Sequence, residues 1–161
     1  MPQNLAQPLT NTLARELPAL QAIPEDRAAT KPRAAAWSRK QELGHLIDSA
    51  TNNHVRFVRA SLDPEFHGPT YDGDGWVARH GYGELPWAML LDFWERYNRL
   101  LVELLARIPE ERLATRCFVG ASEPVTLGFL IEDYIAHMQH HLDHILGREK
   151  LTEYPGAALG V

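Results

Sequence analysis

Apolar side chains in this chain recur at intervals of three and four residues in four separate stretches, and nothing reads as a convincing strand. That pattern points to helices packed on helices. The first stretch, Leu13, Leu17, Leu20 and Ile23, follows Thr10 as an N-cap and predicts a helix over about residues 10–22, ended by Pro24. Residues 24–36, with two prolines and a short alanine run, read as a connector. Ser38 with Gln41 three residues later matches a capping box. Leu43, Leu46, Ile47, Ala50, Phe57 and Val58 then extend one stripe toward Pro64, predicting a second helix over about 39–62. Pro86 suits the first turn of a third helix, whose apolar run from Met89 and Leu90 through Phe93, Trp94 and Leu101 to Ile108 continues to Pro109. Thr126 caps a fourth that runs through Leu146 and is closed by Gly147.

Residues 63–85 interrupt this order. Pro64, Pro69 and five glycines stand among Phe66, Tyr71, Trp76 and Tyr82, so no regular structure is expected there, only a docked lid or a crossover. The sequence therefore specifies an all-α fold: a four-helix bundle with a long crossover loop between its second and third helices. At 161 residues it makes one domain, residues 1–161, able to bury roughly two-thirds of its unfolded surface.

Sixteen basic against 21 acidic side chains give a net charge of −5 with no basic block, which excludes nucleic acid as a direct ligand. No stretch approaches the ~18 apolar residues of a membrane span, and the first residues do not form a signal peptide. These features predict a soluble, cytoplasmic protein that does not act at a membrane. Cys117 is the single cysteine, so packing, with or without a metal, must hold the fold. Only Arg116 could stabilise its thiolate locally, and it reads as structural.

Four of the eight histidines, His137, His140, His141 and His144, fall within eight residues of the fourth helix. At about 100° per residue, His137, His141 and His144 share one direction with Asp133 beside them, flanking the apolar centre of Leu127, Met138, Leu142 and Ile145. An i, i+4 pair can reach one ion, so His137 with His141 is a sound chelating pair; His140 with His144 competes with it. Met138 stands where a zinc-protease helix would carry its glutamate, which argues against that chemistry. A third ligand must come from another helix, and His45, in line with Ser49, Asn52 and Arg56, is the best candidate, although by itself it reads as a surface histidine. His54 lies opposite, among apolar positions, and reads as packed. His67 and His80 belong to the loop, either exposed or closing over a site.

Trp37-Ser38 through Gly44-His45-Leu46-Ile47-Asp48 to His54, the loop Tyr71-Asp72 with Trp76, and Asp133-Tyr134 through His144-Ile145 together resemble the DinB/YfiT-like superfamily. The likeness runs from about Trp37 to Gly147. It implies a four-helix bundle and a divalent ion, nickel or zinc, held by three histidines that fall here on His45, His137 and His141. It also implies a small-molecule substrate, in some relatives a low-molecular-weight bacterial thiol used by transferases or isomerases. Three neutral imidazoles leave a coordination position open, the arrangement of a catalytic site. The expected activity is hydrolysis by an activated water or transfer of an activated thiol; a non-catalytic metal or small-ligand binding bundle, assembled as a homodimer, is the alternative. Asp48 and Asp133 are candidates to orient imidazoles from behind. Ser49, Asn52, Arg56, Tyr71 and Trp76 are candidates for the pocket wall, with Arg56 pairing with a substrate carboxylate.

Overall fold

A computed structural model describes residues 4–149 and Tyr154. Four long helices build it: α1 (Ala6–Gln21), α3 (Arg39–Leu62), α5 (Trp87–Leu105) and α6 (Leu127–Leu146), with the short α2 (Glu25–Ala29) between the first two. α3 packs on α5 and α6, and α1 packs on the same two helices. The consecutive long helices α1 and α3 thus lie across the bundle from each other. This is a four-helix bundle with the long crossover that the sequence specifies. Its core runs through Leu9, Leu43, Phe57, Trp94, Leu130, Tyr134 and Met138, all fully buried, and the apolar centre expected for α6 lies wholly within it.

Several expectations need correction. α1 starts at Ala6, ahead of Thr10, because Leu5, Ala6 and Leu9 extend the buried stripe and Pro8 sits in the first turn, where its missing N–H costs nothing. The Thr10 hydroxyl accordingly bonds back to the Ala6 carbonyl inside the helix. α5 ends at Leu105, before Ile108, as the chain tightens into i→i+3 bonds from Arg107 and Ile108 ahead of Pro109.

The 63–85 segment is largely regular. It contains β1 (Glu65–Gly68), α4 (Gly73–His80) and a 3₁₀ turn (Tyr82–Glu84). α4 is started by the Asp72 side chain, which accepts from the Gly75 N–H at 3.0 Å, and stopped by Gly81, whose φ of 64° is left-handed and favours glycine. The absence of strands is likewise overturned. β1 pairs in parallel with β2 (Arg116–Val119), which pairs antiparallel with β3 (Val125–Thr126), in register Glu65↔Arg116 and Arg116↔Thr126. Each strand is too short to alternate visibly; Phe66, Cys117 and Val119 are its buried contributions.

The two helices that carry the histidines are set precisely against one another by local chemistry. Ser38 caps α3 and Gln41 answers it, completing the capping box. Next to it, Arg39 Nε donates to the Ile145 carbonyl at 2.9 Å, tying the first turn of α3 to the last turn of α6. Glycine at 44 is required for the crossover to dock, since a Cβ there would lie 2.0 Å from the Tyr82 ring.

Candidate metal centre

His45 on α3 and His137 on α6 point their Nε2 atoms at each other, 3.1 Å apart. The His141 ring stands with centroids 4.6 Å from His45 and 4.5 Å from His137. One nitrogen from each of the three comes within 4.8 Å of the others. His45 is 8% exposed and His137 1%, so the helical position that read as a surface histidine is interior. Burial pushes His45 down to about 4, with His141 adding repulsion, and pushes His137 far below its ordinary value, with its histidine neighbours adding to that. Both rings are neutral at pH 7, with lone pairs available.

The fit to a metal ion follows from the distances. Ligands about 2.0–2.1 Å from a tetrahedral centre stand about 3.3 Å from one another, close to the spacing of the facing Nε2 atoms. The donor set, three imidazole nitrogens, suits zinc, nickel, copper or iron better than calcium or magnesium. The Nδ1 atoms of His45 and His137 are buried with no hydrogen-bond partner among the described residues. By contrast, His141 Nδ1 lies 2.9 Å from Glu42 Oε1, and His144 Nδ1 lies 3.1 Å from the same oxygen. Glu42, His141 and His144 make the second close grouping of donors among the described residues. The competing pair His140 and His144 has ring centroids 4.4 Å apart but belongs together to neither grouping.

The second-rank candidates fall elsewhere. Asp48 does not meet His45: its Oδ1 accepts from the Tyr82 hydroxyl at 2.6 Å and lies 3.2 Å from His80 Nδ1. Burial raises its carboxyl, against the pull of Tyr82 and His80. Asp133 leaves His137 Nδ1 unmet as well. Burial raises it to about 6, with Arg56 opposing. Among the loop histidines, His80 closes on Asp48, whereas His67 stacks on Phe118 at 4.4 Å with its side chain exposed. His54 is part-buried, with Nδ1 2.8 Å from the Tyr97 hydroxyl. The Cys117 thiol is buried and pushed up to about 11, which fits an inert role.

Of the expected pocket wall, Asn52, Arg56 and Trp76 do line one cavity, of about 220 Å³, together with Arg59 and His67 but with none of the three histidines. Arg56 is 3% exposed and donates to the Pro69 carbonyl at 3.2 Å. Tyr71 packs against Trp76 at 5.5 Å, and burial lifts its phenol to about 12 despite nearby Arg56 and Ser49. Ser49 is wholly buried beside Asn53. The cavity that reaches the histidines is a different one, of about 630 Å³, lined by Trp37, Glu42, Asp74, His141, His144 and Arg148 among others.

Three residues at the centre escaped the sequence reading. The Trp37 ring packs at a tilt 4.9 Å from His45, and the Tyr154 ring lies 5.5 Å from His137 with its hydroxyl buried. Neither position carries a periodic signal. Glu42 does: it precedes His45 by three residues and so shares its face of α3.

The DinB superfamily model matches residues 9–145. A protein of Oceanobacillus iheyensis is 27% identical over 116 residues, 72% of this chain and 67% of that protein. One of Bacillus pumilus is 29% identical over 117 residues, 72% and 66% of the two lengths. One of Bacillus mycoides is 27% identical over 145 residues, 89% and 82%. Each is named "putative metal-dependent hydrolase". The chain spans about two thirds of the length of the first two. Among solved structures, YfiT from Bacillus subtilis, described as "a probable metal-dependent hydrolase with an unusual four-helix bundle topology", superimposes with a TM-score of 0.77 at 21% identity, over 89% of this chain and 82% of that one. That likeness is one of fold.

Proposed function

This chain belongs to the DinB superfamily, and from that premise we propose that it is a metal-dependent enzyme. His45, His137 and His141 hold one divalent ion, nickel or zinc, and a small molecule is attacked by an activated water or low-molecular-weight thiol. The observation that carries this reading is the pair of buried, neutral Nε2 atoms facing each other at 3.1 Å from two different helices. An ion bound there supplies Lewis acidity, which lowers the pKa of a water or thiol that reaches it.

The chain's own groups set the conditions. Three imidazole ligands would add no negative charge to the ion and would leave a coordination position for a substrate. The interior wall, with His45 and His137 nearly sealed from solvent, keeps water out on that side. His141 lines the cavity of about 630 Å³ and marks where a substrate enters. No helix among the described residues is long and apolar enough to cross a membrane.

The test begins with metal content. Wild-type protein purified without added metal should carry about one nickel or zinc ion per chain by mass spectrometry, and His137→Ala should carry less than about a tenth of that. The loaded protein is then given monochlorobimane with glutathione or bacillithiol in one arm, and an activated ester without thiol in the other. Metal-dependent turnover in the first arm assigns thiol transfer, and in the second hydrolysis. An ion-free wild type sinks the proposal, and bound metal without turnover in either arm leaves a binding protein.

A further inference from the structure

The three histidines are not held alike. The buried Nδ1 atoms of His45 and His137 have no hydrogen-bond partner among the described residues, whereas His141 has a carboxylate at its outer nitrogen. Resting on the metal reading above, we infer that Glu42 is the positioning residue of the centre: it fixes the tautomer and the aim of His141, the one ligand on the solvent side.

The chemistry leaves little freedom at this contact. A carboxylate accepts and does not donate, so the hydrogen between Glu42 Oε1 and His141 Nδ1, 2.9 Å apart, resides on the ring nitrogen. A neutral imidazole carrying hydrogen at Nδ1 has its lone pair at Nε2, which is the nitrogen left for His45, His137 and the ion. His141 is also the ligand most in need of support. His137 is packed to 1% exposure, but the His141 side chain is 15% exposed and borders the cavity, where a free ring would turn between rotamers.

Glu42 is itself held from two sides. Its backbone N–H donates to the Ser38 carbonyl at 3.0 Å in the first turn of α3. The neighbouring Gln41 side chain is committed to the Ser38 N–H at 2.9 Å, so the capping box absorbs Gln41 and leaves Glu42 to face α6. His144 Nδ1, at 3.1 Å from the same Oε1, fixes the carboxylate from the other side. Order thus passes from the helix cap to Glu42 and from Glu42 to a metal ligand on another helix. Removing such a partner weakens metal binding by about 10- to 100-fold without removing a ligand.

The experiment measures zinc and nickel affinity by calorimetry, and the visible spectrum of the cobalt-loaded protein, for wild type, Glu42→Ala, Glu42→Gln and His144→Ala. Glu42→Ala should bind one ion about 10- to 100-fold more weakly, with altered cobalt bands and an apo melting temperature within a degree or two of wild type. Glu42→Gln, whose amide oxygen still accepts from Nδ1–H, should recover most of the affinity. His144→Ala should stay within about threefold of wild type at one ion per chain. Wild-type affinity and spectrum in Glu42→Ala overturn the inference while leaving the three-histidine site intact. A second ion in the wild type that His144→Ala loses also overturns it, since Glu42 would then be a ligand. If the wild type binds no metal at all, the functional proposal and this inference fall together.

Discussion

α6 buries polar groups on two of its faces, and the two are finished differently. On one, Asp143 accepts from Gln139 Nε2 at 3.0 Å and from Arg148 Nε at 3.0 Å, Arg148 reaches Glu16 on α1 at 2.6 Å, and Arg15 joins Glu16 to Gln139. Every charge there has its counter-charge, and the network closes within the protein. On the other, His137 and His45 face each other through neutral Nε2 atoms, and their buried Nδ1 atoms have no hydrogen-bond partner among the described residues. Burial of polar groups is tolerated on the first face because it is internally satisfied, and on the second because the buried imidazoles are uncharged. One helix therefore carries a closed network of charges on one side and a pair of facing, uncharged imidazoles on the other.

The sharpest way to break this contrast is to delete one member of each face. His137→Ala should remove bound metal almost entirely, by mass spectrometry, while urea unfolding of the apo protein changes far less. Glu16→Ala should do the opposite. It strips a fully buried carboxylate from two arginines that retain some solvent access, costing about 2–3 kcal/mol in urea unfolding with metal content unchanged. If Glu16→Ala costs metal, or His137→Ala costs as much apo stability as Glu16→Ala, the faces are not independent.

Gly44→Ala probes the junction between the crossover and the histidines. Its Cβ would strike the Tyr82 ring, for a loss of about 1–3 kcal/mol. Because His45 is the next residue, a several-fold drop in metal affinity should accompany it. The smallest effect expected is at Asp133. Its carboxyl ionises near 3.8 when unfolded and near 6 in the fold, so the folded state holds the proton more tightly. That advantage is complete below pH 4 and is lost as pH rises through 6. Asp133→Asn should therefore be more stable than wild type by about 1 kcal/mol at pH 8, discounted for partial solvent access, and show no gain at pH 4. Equal curves at both pH values would remove the burial argument.

Legibility from sequence followed the range of the interactions. α3 and α6 were readable because the Ser38–Gln41 box and Gly147 act within a few residues. The strands were not, because Glu65 finds Arg116 only after the bundle brings them together. α4 was hidden by its glycines, although Asp72 and Gly81, its two caps, were visible in the sequence. At the candidate centre, spacing singled out His137 with His141 but left His140 with His144 as a rival pair, and the family resemblance chose between them. His45 needed a family resemblance, since the amphipathic pattern of α3 placed it on the polar side; the structure shows that side turned toward α6. Glu42 could have been found by asking which carboxylate shares the His45 face.

The three-stranded sheet has a consequence for the order in which this chain assembles. Its parallel pair joins residues 51 positions apart, and closing a loop of that length costs about 3.5 kcal/mol on a logarithmic scale. Four paired residues per strand, with only three of the eight buried, return too little to cover that cost by themselves. The sheet is therefore a late event in folding: it forms when the packed helices have already brought its strands within reach, and it records the bundle's topology without directing it.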